Sequence, residues 1–277
     1  MRFRRVSRTC VLLLGFFWIA HPSVAQDVAD DASDKQKERV GKETLEHVKK
    51  FVVTDKNEQR YDPVETPLLS STDPARGEWG SLWAFGKQGR PVVILELYKN
   101  TGREERWVQV LTLTSDKLVQ CRLPTGPSWA PQQTQVELQP VTGAAPPAER
   151  TPRRERQAKL LARRFDAHEF WDPKNSRFEL RLLETPLHTY RDEKTGLLDG
   201  ILFGFVHGTN VEVLLFLEAR AEGQQPPQWM YGLARVGSAE MHVNLDGKEI
   251  WQLARTPGVV GRSSDSYWIT ITLTGSK

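Results

Sequence analysis

The sequence predicts an α+β fold made of two related units, each a helix followed by an antiparallel β-meander, with the two units packed against each other. Three observations carry this. The stretch "TPLLSSTDPARGEWGSLWAFGKQGRP" (Thr66–Pro91) is matched by "TPLHTYRDEKTGLLDGILFGFVHGTN" (Thr185–Asn210). An amphipathic helical pattern precedes each stretch, and an apolar strand opening on tryptophan follows each, at Trp107 and at Trp229. Matched residues lie 117 to 122 positions apart, pairing Asp55 with Asp172, Arg60 with Arg177, Glu65 with Glu184 and Gly80 with Gly200. So steady an offset points to an internal duplication of two copies.

Four arginines ahead of "VLLLGFFWIA", with small residues at Ser23 and Ala25, read as a secretory signal over residues 1–25, cut between Ala25 and Gln26. The apolar run is about half the roughly 20 residues of a membrane-spanning helix, so no transmembrane helix is expected in the mature chain. Residues 26–39, polar and without apolar periodicity, form a flexible leader.

The first unit covers residues 40–138. Val40, Thr44, Val48 and Val52 recur every four residues, which predicts a helix over "VGKETLEHVKKFVV". In "GSLWAFG" the residues Trp83 and Phe85 alternate with Leu82 and Ala84, a strand period, and "PVVILELY" and "WVQVLTLT" continue the meander. A further strand is expected in "TQVELQ". Residues 139–150 are a Pro/Ala-rich linker, inside a stretch from Pro124 to Pro152 that holds 7 of the 17 prolines.

The second unit, residues 151–277, begins with Thr151 and Pro152 at a helix start, and the apolar stripe of "TPRRERQAKLLARRF" includes Leu161 and Phe165. "DAHEF" is taken as part of this helix, where Asp166 and His168 at i and i+2 point apart. "GILFGFV" keeps the aromatic, small, aromatic alternation at Phe203, Gly204 and Phe205, and "VEVLLFLEA", "AEMHVNL", "KEIWQLA" and "SYWITITLT" supply further strands. Phe85 and Phe205 are expected to face equivalent cores, with Ala84 and Gly204 on the opposite face beneath the preceding helix.

The segments "GSLWAFGKQGRPVVILELY", "LARRFDAHEF", "FELRLLETPLHTY", "DGILFGFVHGTNVEVLLFLEAR" and "WMYGLARV" together resemble an uncharacterised family of secreted planctomycete proteins. The resemblance covers nearly all of the mature chain. It implies an exported globular protein and brings no catalytic residue, substrate or cofactor with it.

Charge and composition narrow the function further. Lys and Arg total 38 against 35 acidic residues, but without the four leading arginines the mature chain carries about −1, which argues against nucleic acid as a partner. Only Cys121 remains after the signal, in an apolar run suited to a buried structural thiol. His47, His168, His188, His207 and His242 are scattered without metal-ligand spacing, so neither a metal nor a cofactor is expected. No nucleophile elbow or phosphate-cradling glycine loop occurs.

Binding candidates are Trp129 in "GPSWAP" and Trp171 in "EFWDP", tryptophans placed in connections where an exposed indole could meet a ligand, and the matched acids Glu65 and Glu184. The reading is an exported module, periplasmic or secreted, that binds or interacts without catalysis, with an envelope protein or a glycan as partner. The alternative is an extracytoplasmic hydrolase whose site is dispersed along the chain.

Overall fold

The computed structural model of the protein describes residues 38–39, 41–73, 78–100, 106–172, 174, 176–221, 223, 225–256 and 262–273. The signal, Ala25, Gln26 and most of the leader lie outside the described residues, as do Val40 and Gly77. The described chain is α+β and mostly antiparallel sheet, with two helices of more than one turn.

Helix α1 spans residues 41–48 and places Thr44 and Val48 inside. It is shorter than its apolar stripe suggested, for Val52 already belongs to strand β1 (Val52–Asp55). This strand pairs with β2 (Arg60–Tyr61) on one side and β7 (Val119–Arg122) on the other. Strands β3 (Leu69–Asp73), β4 (Glu78–Phe85), β5 (Val93–Asn100) and β6 (Arg106–Leu113) then pair in succession as a meander.

After a short β8 (Gln139–Pro140) comes helix α2 (Thr151–Ala162), entered through Pro152 in its first turn. Strand β9 (Phe165–Phe170) pairs with β10 (Arg177–Leu182) and with β15 (Glu240–Leu245). Strands β11 (His188–Asp192), β12 (Leu197–His207), β13 (Asn210–Arg220) and β14 (Gln228–Arg235) pair in succession. The order of pairing from β9 to β15 therefore follows that from β1 to β7. Strand β16 (Lys248–Leu253) extends β15. The last strand, β17 (Tyr267–Leu273), runs back to the first meander and pairs with β6. β8 pairs with β14.

Two sequence expectations change here. "TQVELQ" contributes only Gln139, within β8, while residues 134–138 are irregular. "DAHEF" is strand β9 and not helix, because α2 stops at Ala162 and Phe165 turns into the sheet.

Strand alternation divides the core into three clusters. Trp83, Phe85, Leu95 and Leu111 meet Val48, Phe51, Trp129 and Trp268. Phe203, Phe205, Val213 and Leu215 meet Ala158, Leu161 and Ala162 of α2. Each fully buried Leu or Phe contributes about 1.5–3 kcal/mol. The opposite faces meet each other: Leu82, Ala84 and Ile94 join Leu202, Val206, Leu214 and Phe216 in the third cluster. Ala84 and Gly204 thus do not lie beneath the helices, which cover the Phe85 and Phe205 faces. A Cβ on Gly204 would press on Leu187 at 2.9 Å and Val211 at 3.3 Å.

Candidate functional site

On β9 the side chains of Phe165, Ala167 and Glu169 alternate with those of Asp166, His168 and Phe170, and the first two join the second core. Glu169 continues that inward face towards the end of the strand. Its register partner on β10 is Phe178, and β12 ends nearby at His207. The Glu169 carboxylate, with a side chain 2% exposed, accepts from His207 Nδ1 at 2.6 Å when that nitrogen carries the hydrogen. Its second oxygen, Oε2, is buried without a hydrogen-bond partner. Burial pushes this carboxyl up, against the opposing bond and charge of His207.

The imidazole of His207 is itself 39% exposed. It stacks on Phe178, with ring centres 5.1 Å apart and planes 28° from parallel. Trp171 sits 6.0 Å from Phe178 and 6.1 Å from His207, and is 46% exposed. Three rings therefore form a partly open aromatic wall, and a buried carboxylate fixes the imidazole among them.

Two further buried acids lie in the same region, and Glu212 feels the charges of both Glu169 and Glu96. Burial holds Glu212 well above the usual carboxylate range, reinforced by the charges of Glu169 and Glu96 and opposed by Arg235. Burial raises Glu96 to about 8, against a 3.1 Å hydrogen bond from the Tyr98 hydroxyl. The Arg235 guanidinium donates to the carbonyls of Gly237, Ala239 and Ala254 and lies 4.9 Å over the Tyr267 ring. The Tyr267 hydroxyl is buried without a partner.

At Glu218 the buried charge is fully satisfied. Glu218 on β13 accepts from Arg90 Nε at 2.7 Å, Arg90 Nη2 at 3.0 Å, Arg220 Nε at 2.6 Å and the Tyr190 hydroxyl at 2.8 Å. Burial works against its ionisation, yet the Arg90 bonds and charge, with Arg220, hold Glu218 below the usual range. Tyr190 reaches Glu218 by lying across its register partner Gly200, where a Cβ would overlap the Tyr190 ring. Beside it a groove of about 410 Å³ is lined by Lys87, Gln88, Glu155, Arg191, Asp192 and Asp199 among others. Two of its acids are engaged internally: Gln88 donates to Asp192 and Arg154 pairs with Asp199.

The sequence candidates divide accordingly. Trp171 is part of the aromatic wall. Trp129 is wholly buried in the first core and donates its indole N–H to the Asp265 carbonyl at 2.8 Å, so it presents no face to a ligand. Glu65 and Glu184 each hold their own surface cation, Lys87 at 3.3 Å and Arg163 at 3.2 Å. His207 and Glu169 were legible only as unconnected residues. The strand period of "DAHEF", read correctly, places Glu169 on the inner face.

His168 and His242 stack at 4.7 Å, with His242 also held by Glu249 and Glu240. Among the described residues no group of three or more His, Cys, Asp or Glu is arranged to hold a metal ion. Cys121 is a buried free thiol, pushed up to about 12 by burial. No helix among the described residues is long and apolar enough to cross a membrane. No protein-family model, curated protein or solved structure matches the chain.

Proposed function

We propose that this protein is an exported, non-catalytic binding module and that its ligand docks on the Trp171, Phe178 and His207 end of the second half. One observation carries the reading: Trp171 is a large apolar side chain left 46% exposed beside an imidazole anchored by a buried carboxylate. Exposed indole is costly on a surface with no use for it, and aromatic side chains with a polar tip are the common anchors of interfaces. The arginine-led apolar start and the small residues before Gln26 support export to the periplasm or medium. N-terminal sequencing of the exported protein is expected to begin at or near Gln26, and retention of the intact chain in the cytoplasm would overturn this part. The resemblance to secreted planctomycete proteins points the same way.

We further propose that the two halves arose by duplication. The shared pairing order and the narrow range of offsets in sequence, 117 to 122 positions, support it. So do equivalent entry bonds, Val64 N to Ala84 O at 2.9 Å and Leu183 N to Gly204 O at 2.8 Å. The acids that remain equivalent, Glu65 and Glu184, each pair with a surface cation and are not part of the aromatic wall.

The docking reading is tested by photo-crosslinking. A photoreactive residue at position 171 of the full chain is expected to trap the partner, while one at the exposed but distant-strand position of Ile271 is not. Equal trapping from both positions, or none from 171, would remove the wall as the docking end.

A further inference from the structure

Resting on the reading of the Trp171 end as the docking site, we infer that its ligand is a glycan. A pyranose ring lies with its C–H face on the Trp171 indole, and one of its hydroxyls hydrogen-bonds His207 Nε2.

The argument begins with the shape of the wall. Phe178 and His207 stack 28° from parallel, and the Trp171 ring stands 47° from Phe178 and 71° from His207, so the indole forms one side of a corner whose other side is the stacked pair. A flat partner with one apolar face can lie against the indole of Trp171, 46% exposed, with its edge towards the imidazole of His207, 39% exposed.

The second step concerns His207. An apolar ligand would gain nothing from a hydrogen-bonding ring at the rim, yet the protein buries Glu169 at 2% exposure to hold that ring by Nδ1. Burying a carboxylate costs free energy unless its bonds are made, and here one oxygen remains without a partner. An orienting carboxylate on one imidazole nitrogen fixes the direction of the other. The ligand must therefore offer a polar group at the edge of an apolar face, which is how a pyranose is built.

A nucleobase is also flat with a polar rim, but it comes with phosphate. The mature chain's charge of about −1 gives no general attraction for that polyanion, and Arg177, close by on β10, is engaged with Glu179. The neutral hydroxyl chemistry of a sugar needs neither.

The test uses the mature chain and neutral hexasaccharides of glucose, N-acetylglucosamine, mannose and xylose, followed by tryptophan fluorescence and by the indole N–H resonances. Trp171→Phe identifies the Trp171 resonance by its loss. Saturable binding of at least one hexasaccharide at millimolar concentration or below, with the Trp171 signal shifting, is expected. Trp171→Ala is expected to weaken it by about tenfold or more and His207→Ala by several-fold, while Trp171→Phe keeps part of it and Ile271→Ala all of it. Unchanged circular dichroism in Trp171→Ala separates lost binding from lost folding. No saturable binding to any of the four, or binding indifferent to Trp171→Ala, overturns the assignment. If position 171 still crosslinks a protein while no sugar binds, the glycan falls and the docking end stands. If neither occurs, both fall.

Discussion

Two places in this molecule bury glutamate, and they treat it in opposite ways. Around Glu218 every lone pair has a donor: two arginines and a tyrosine surround it, and the arginines outvote burial. Around Glu96, Glu212 and Glu169 burial outweighs the opposing groups and raises all three, and the charges of Glu169 and Glu96 add to the rise at Glu212. The Glu218 cluster ties Arg90 of the first meander to β13 of the second and works as a structural clamp. In the other group Glu169 Oε2 is left without a partner beside the exposed aromatic wall. The lesson is that burial alone does not set the state of a carboxyl: the donors it meets decide.

The largest expected effect breaks the clamp. Glu218→Ala leaves the Arg90 guanidinium, 9% exposed, with an uncompensated charge and is expected to cost about 3–5 kcal/mol in urea unfolding. A loss below about 1 kcal/mol would mean that the clamp contributes little and that apolar packing alone joins the meanders.

A second measurement sharpens the contrast through pH. An unfolded glutamate titrates near ~4.3, and the folded Glu96 is raised to about 8. The folded chain therefore keeps a proton that the unfolded chain releases. The stability this contributes is complete below about pH 4 and is lost as pH rises towards about 8. Glu218, held below the usual range, behaves the other way: its contribution is present at neutral pH and is lost in acid. Glu96→Gln is expected to flatten the fall between pH 5 and 8 by on the order of 3 kcal/mol. An unchanged slope would show that Glu96 is already ionised at neutral pH.

A smaller effect is expected at Gly200. A methyl group there collides with Tyr190 and displaces its hydroxyl from Glu218, so Gly200→Ala is expected to destabilise by about 1–3 kcal/mol. Combined with Tyr190→Phe, the two losses should fall short of their sum, because both remove the same hydrogen bond. Smallest of all is Trp171→Ala, expected within about 0.5 kcal/mol of the parent in stability while weakening docking by about tenfold or more. A large destabilisation would reassign Trp171 to the core.

How much of this was legible in the sequence depends on which residues carry it. Strand alternation around Trp83 and Phe85, and around Phe203 and Phe205, is a period of two that survives folding unchanged, so the meanders were readable. The helix-length stripe at Val40–Val52 overran its helix because an apolar residue at i+4 fits a following strand equally well. "DAHEF" misled for the same reason: alanine and charged residues favour helix locally, and the sheet that overrides them comes from β15, more than 70 residues later. Trp129, flanked by Pro127 and Pro131, looked like a surface connection. A bridge to Cys121 draws it under the first meander, and sequence gives no sign of that pairing. The aromatic wall needed three elements to converge, and spacing along the chain encodes none of those meetings.

The return of β17 to β6 has a consequence in time. Trp268 completes the first core, and the Thr270 register partner on β6 is Gln109, so residues made early wait for residues made last. At about 5–20 residues per second, roughly ten seconds separate the synthesis of the first meander from the arrival of its final strand. Through that interval β6 is an open edge facing the crowd, able to recruit a strand from a neighbouring chain. We expect nascent chains stalled before Tyr267 to be cleaved readily by protease around β6 and full-length chains to resist. The clock of this fold runs backwards: what is read first is finished last.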